Sequence, residues 1–185
     1  MRHLLRETTH EIHQRLHLHD GFAAIQDETI DRSAYQNLIV RLYGFHLPFE
    51  LAAGFERERS GRLEEDLRAL GLDPGDRAVP ICRHLPRLDS TERRLGALYV
   101  VEGAALGGRE LAKGLNGLLG ATGTEGRRFF MGRGPGTAQG WRDYLALLSA
   151  ASTEPSAQAE VISAAVETFA VFEDWLSGWK VINHA

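Results

Sequence analysis

Apolar residues recur along this chain at three- and four-residue intervals, and no stretch alternates long enough to suggest a sheet. The pattern predicts a nearly all-helical protein. A first helix is expected over about Leu4 to Leu18, stopping at Asp20-Gly21. A second begins after Asp31 or Ser33 and carries Leu38, Leu42, Phe45 and Phe49; Pro48 should kink it or end it near His46. A third covers Gly61 to Leu70, closed by Gly71 and Asp73-Pro74-Gly75. A long helix starts at Asp89, with Glu92 three residues on in capping-box spacing, and can reach Leu119. A glycine- and arginine-rich loop over Gly120 to Gly136 follows. Further helices are expected from about Thr137 to Ser149 and Pro155 to Trp179. The expectation is one all-α domain of six or seven helices over residues 1–185, with no repeat and no strong linker.

The long helix carries an energetic anomaly. Gly96, Gly103, Gly107 and Gly114 return to within about 20° of one direction at about 100° per residue. Glycine in a helix interior costs about 0.8–1 kcal/mol against alanine, so four on one face forgo about 3–4 kcal/mol. Something must approach that backbone closely, either a partner helix or a flat ligand. Gly108 lies about 100° from Gly107, off the stripe, so a single packing contact does not explain both.

Composition narrows the choice. The chain is 43% hydrophobic and 25% charged with a formal net charge of −4, which gives no bulk electrostatic case for nucleic acid. No apolar run approaches the roughly 20 residues of a membrane span, and the first residues lack the apolar stretch of a secretory signal. With the single Cys82 unable to pair internally, a cytoplasmic protein is expected. His10, His13 and His17 share one helix face beside an apolar stripe of Leu5, Ile12 and Leu16, where an imidazole can ligate a metal or haem or simply bond a carbonyl.

Three segments together resemble the haem oxygenase family. Leu5-Arg6-Glu7-Thr8-Thr9-His10-Glu11-Ile12-His13 is similar to its N-terminal pattern, and Tyr99 through Arg109, containing Glu102-Gly103-Ala104-Ala105-Leu106-Gly107-Gly108, to its distal-helix signature. Phe129-Phe130, Arg133-Gly134-Pro135-Gly136-Thr137, Trp141-Arg142 and Phe172-Glu173-Asp174-Trp175 are similar to the bacterial branch found beside bacteriophytochromes. The resemblance implies haem held between two helices, as substrate and cofactor together, with O2 as co-substrate. It implies His13 as the iron ligand, Gly103, Gly107 and Gly108 as the distal wall, and Arg6 and Arg142 as partners of the propionates. It further implies cleavage to biliverdin, CO and Fe2+ with electrons from an external ferredoxin or flavoprotein reductase, since no flavin or nicotinamide fingerprint is present. A bacteriophytochrome could receive the biliverdin.

Three positions depart from the family pattern. Ala104 stands where many members carry an aspartate that orders a water, and His17 where others hold a carboxylate behind the ligand histidine. His46 occupies a position where a tyrosine often faces the distal side, so His46 is expected to replace that hydroxyl or the missing carboxylate. Two other functions stay open on these residues. One is a non-catalytic haem carrier or sensor. The other is a non-haem metal protein using His10, His13 and His17, for which Glu7-x-x-His10 supplies only one of the two required spacings.

Overall fold

A computed structural model describes residues 1–180; the last five residues of the expected 1–185 domain lie outside it. The described residues form ten helices: α1 Arg2–Thr8, α2 His10–His17, α3 Asp20–Gln26, α4 Arg32–Ala53, α5 Glu58–Ala69, α6 Thr91–Gly114, α7 Asn116–Leu119, α8 Arg128–Met131, α9 Gly136–Ala151 and α10 Pro155–Ser177. The long helices α6 and α10 pack side by side as the centre of the fold. Helices α1, α2 and α4 also rest on α10, while α3, α8 and α9 rest on α6.

Local chemistry explains where the elements differ from the sequence expectation. The first helix is bent rather than continuous: Thr9 leaves helical geometry, and its hydroxyl donates to the Leu5 carbonyl at 2.7 Å. Asp20-Gly21 does not end the structure but opens α3. There the His19 Nδ1 accepts the Gly21 N–H at 3.2 Å and its Nε2 lies 3.2 Å from the Leu176 carbonyl. That pair of partners fixes the neutral tautomer with the proton on Nε2. The glycine-rich helix is capped by Ser90, not Asp89, and ends at Gly114; Leu115 separates it from the short α7. The expected loop contains α8, because the buried Asp66 accepts the Arg128 and Phe129 N–H groups at 2.7 and 2.8 Å and caps that turn from another helix.

Pro48 neither ends nor interrupts α4. A proline cannot donate to the carbonyl four residues back, here that of Gly44. The Gly44 carbonyl instead accepts the Cys82 N–H at 2.8 Å. A Cβ on residue 44 would run into the Pro80 carbonyl and the Trp175 ring, so glycine is what lets this extended segment reach the helix.

Two glycines of the long helix are packing contacts in the plain sense. A Cβ at Gly96 would meet the Val161 carbonyl of α10, and one at Gly114 would meet the Ile25 carbonyl of α3. Both let a neighbouring backbone approach closely, which offsets their poor helix propensity.

Candidate functional site

The remaining glycines divide into three environments. A Cβ at Gly107 would meet no atom of the described residues within 4 Å, and the residue is exposed. At Gly103 it would meet only the edge of the Trp141 ring, at 3.9 Å. Gly108 is different: a Cβ there would collide with the Phe130 carbonyl of α8. The expectation that Gly108 belongs to an open ligand wall therefore meets a packing explanation, with its backbone pressed on α8. The helix runs as one element through Gly107-Gly108.

This division predicts opposite outcomes for neighbouring substitutions. Gly107→Ala should stabilise the ligand-free protein by about 0.8–1 kcal/mol, the helix-propensity gain with no steric cost. Gly108→Ala should destabilise it by about 1–3 kcal/mol, because a backbone carbonyl cannot rotate aside. Urea midpoints at constant m-value measure both.

His13 lies on α2 with its ring edge-on to His17 (centroids 4.5 Å apart) and to Phe169 of α10 (6.2 Å). Partial desolvation, then the charges of His17 and His10, push its pKa below the ordinary value. The imidazole is therefore neutral at pH 7, the form in which it binds iron. Its helix and the glycine wall share one support, since α2 and α6 both rest on α10. Arg6 is exposed and lines an open hollow with His3, Glu7 and His10. Arg142 is exposed on α9 and donates to Gln139 at 2.6 Å. Among the described residues, no three of His, Cys, Asp and Glu form a metal-holding group, which leaves the non-haem reading without a donor set.

His46 sits in the interior. Its ring lies 5.5 Å from Phe45, 5.1 Å from Phe129 and 6.2 Å from Phe172, and its Nδ1 is buried with no hydrogen-bond partner among the described residues. Phe129 and Phe130 link it to the glycine helix, since α8 touches both His46 and Gly108. Burial, with a smaller contribution from Arg59, lowers the His46 pKa to about 3. An unfolded histidine titrates near 6.5. The folded state thus resists protonation, and its stability is full above about pH 6.5 and lost as pH falls towards 3. Between pH 7 and pH 5 this group alone should cost about 2 kcal/mol. His46→Phe keeps an aromatic ring without a titrating nitrogen, so its urea midpoint should fall correspondingly less than that of the parent over the same pH interval.

Sequence patterns gave no sign of a buried ionic cluster next to Gly103. Glu102 accepts Arg59 Nη2 at 2.5 Å, and Arg133 Nη1 and Nη2 each reach it at 3.3 Å. Glu50 accepts the backbone N–H of Arg59 and Ser60 and the Ser60 hydroxyl at 2.7–3.0 Å. Arg133 also forks onto Glu58. The cluster ties α4, α5, α6 and the loop before α9 to the residue that precedes Gly103.

With this geometry in view, the comparisons with known proteins agree. The Heme oxygenase family profile matches residues 1–178. A heme oxygenase of Xanthomonas campestris pv. campestris is 36% identical over 134 residues, spanning 65% of this chain and 68% of that protein. The NO- and CO-bound heme oxygenase structure from Neisseria meningitidis superposes with a TM-score of 0.65 at 24% identity, covering 98% of this chain and 92% of that one, which shows the fold. The chain belongs to the haem oxygenase family. Its activity is accordingly enzymatic haem degradation, an oxidoreductase function on an all-α scaffold. No helix among the described residues is long and apolar enough to cross a membrane.

Proposed function

We propose that residues 1–185 act as one domain that binds haem between α2 and the Gly103–Gly107 face of α6 and cleaves it with O2 to biliverdin, CO and Fe2+. The observation that carries this is the pairing of an accessible, neutral His13 on one helix with a side-chain-free Gly107 on another, both helices supported by α10. Bound haem supplies the iron that activates O2 and the macrocycle that is oxidised.

The chain's own residues have distinct tasks. His13 holds the iron through a neutral ring nitrogen, and His17 beside it offers a weaker hydrogen-bond partner than a carboxylate would. Gly107 brings main chain, and no oxidisable side chain, to the distal face. Arg6 offers a charge-assisted donor for a propionate at the α1–α2 edge, and Arg142 offers a second on α9. His46 keeps a neutral imidazole behind α8, and its unpartnered Nδ1 is a hydrogen-bonding group for the distal side that does not depend on residue 104. Gly108 contributes by seating α6 on α8. Electrons come from outside the chain, from a ferredoxin or flavoprotein reductase in the cytoplasm, and a bacteriophytochrome is a fitting consumer of the product.

Hemin added to the purified protein should give a Soret band. Ascorbate or a reductase system in air should then bleach it as the biliverdin band rises. A Soret band that persists would make the protein a carrier, and no Soret band at all would end the haem reading.

A further inference from the structure

Among the described residues, Trp141 is the one side chain that a Cβ at Gly103 would touch, and its position is fixed from two directions. On one side its ring packs between Tyr99 of α6 (5.8 Å) and Tyr144 of its own helix (5.3 Å). Tyr144 is itself tied down by a 3.0 Å hydrogen bond from its hydroxyl to the Leu95 carbonyl. On the other side, the chain entering α9 is latched by Arg133. Its guanidinium donates from Nε to Glu58 at 2.7 and 2.9 Å and reaches Glu102 at 3.3 Å. Gly132 (φ 58°) and Gly134 (φ 59°) shape the turn that aims Arg133 inward. The guanidinium passes over residue 140, where a Cβ would collide with its Nη1, so Gly140 is part of the latch. Trp141 follows immediately.

This arrangement divides the glycine wall. Carbon atoms pack at about 3.5–4.0 Å, so an aromatic plane between Trp141 and the Gly103 backbone needs about 7–8 Å of clearance. The Trp141 ring lies 3.9 Å from where a Cβ on residue 103 would sit. One carbon–carbon bond of about 1.5 Å beyond that, the Cα is still too near to admit such a plane. One turn further, about 6 Å along the axis, the Gly107 face is open. We infer that Trp141, held by the Arg133 latch, is the edge stop that sets how far haem slides along the distal helix, and so selects the meso carbon presented for oxidation. The Arg133 latch is a positioning device, and Trp141 is a specificity-determining residue. The inference rests on the haem reading above.

The test uses Trp141→Ala, Trp141→Phe and Arg133→Gln beside the parent protein, each loaded with hemin. Two readouts are taken: the ratio of biliverdin isomers by chromatography, and the haem-methyl proton NMR pattern of the ferric cyanide complex, which reports seating without turnover. The parent should show one dominant isomer and one dominant seating. Trp141→Ala should change the isomer ratio at least tenfold and add a second set of methyl resonances. Trp141→Phe keeps a ring and should restore most of the parent pattern. Arg133→Gln leaves the aromatic packing intact and should shift both readouts in the same direction as Trp141→Ala, which keeps the test decisive if the alanine variant does not fold. A normal Soret band with isomer ratio and methyl pattern unchanged in Trp141→Ala, or in Arg133→Gln where the alanine variant does not fold, overturns this inference alone. A parent protein that forms no Soret band overturns the haem reading and this inference with it.

Discussion

His13→Ala is expected to abolish the histidine-ligated haem spectrum and to lower biliverdin formation at least about 100-fold. Losing even an outer partner of a metal-ligating histidine typically costs 10–100-fold, and losing the ligand itself should reach the upper end or beyond. The substitution should leave the fold intact, because His13 is an exposed residue that meets His17 and Phe169 only edge-on. Added imidazole should restore part of the spectrum by entering the vacated space. His10→Ala and His17→Ala separate the ligand from its neighbours. A parent-like spectrum in His13→Ala, with loss in either of the others, would move the ligand along α2.

Arg59→Met should destabilise the ligand-free protein by about 3–5 kcal/mol, the usual cost of leaving a buried charge without its partner. For a chain of this size that corresponds to a fall in Tm of about 6–20 °C. Arg59 and Glu102 are both buried and meet at 2.5 Å between α5 and α6, whereas the Arg133 contacts to Glu102 are longer and part-exposed and cannot replace it. Glu50 also loses its 3.7 Å ion pair with Arg59, but it stays hydrogen-bonded in the variant through Ser60 and the backbone N–H of residue 59, so Glu102 is the carboxylate left worse off. The double variant Arg59→Met with Glu102→Leu removes the stranded carboxylate and should recover about 1–3 kcal/mol. Calorimetry on the four members of the cycle gives the coupling directly. Equal stability of the single and double variants would show that Arg133 alone satisfies Glu102.

The long glycine helix was legible because its information is local. Period and the spacing of Gly96 and Gly114 are written in consecutive residues, and close packing is what such spacing does; the cap falls on Ser90, one residue after the expected Asp89. The role of Gly108 was not legible. Its angular offset from Gly107 shows that it faces elsewhere, but only the fold shows that the Phe130 carbonyl is what it faces. The ionic cluster was hidden for the same reason. Arg59 and Glu102 are 43 residues apart and Arg133 and Glu58 are 75 apart, and each reads locally as an ordinary solvated charge. His46 shows the limit from the other direction: the family pattern places it facing the distal side, but only the fold shows that it lies buried among three phenylalanines, which keep it neutral. The continuation of α4 past Pro48 was not legible, because a helix-breaking proline is judged by the bond it removes. The partner that takes over the freed Gly44 carbonyl, the Cys82 N–H, lies 38 residues further along the chain.

That replacement partner gives the unstructured stretch around Cys82 an unusual dynamic character. Amides in segments without regular secondary structure usually exchange with solvent through small local openings. The Cys82 amide is held by a carbonyl inside α4, so it exchanges only when α4 or its contact with the strap opens. Its protection against deuterium should therefore match that of the α4 core rather than that of its own chain neighbours. One slow amide in the middle of a fast-exchanging run would mark the point where the strap and the helix unfold as a single cooperative unit.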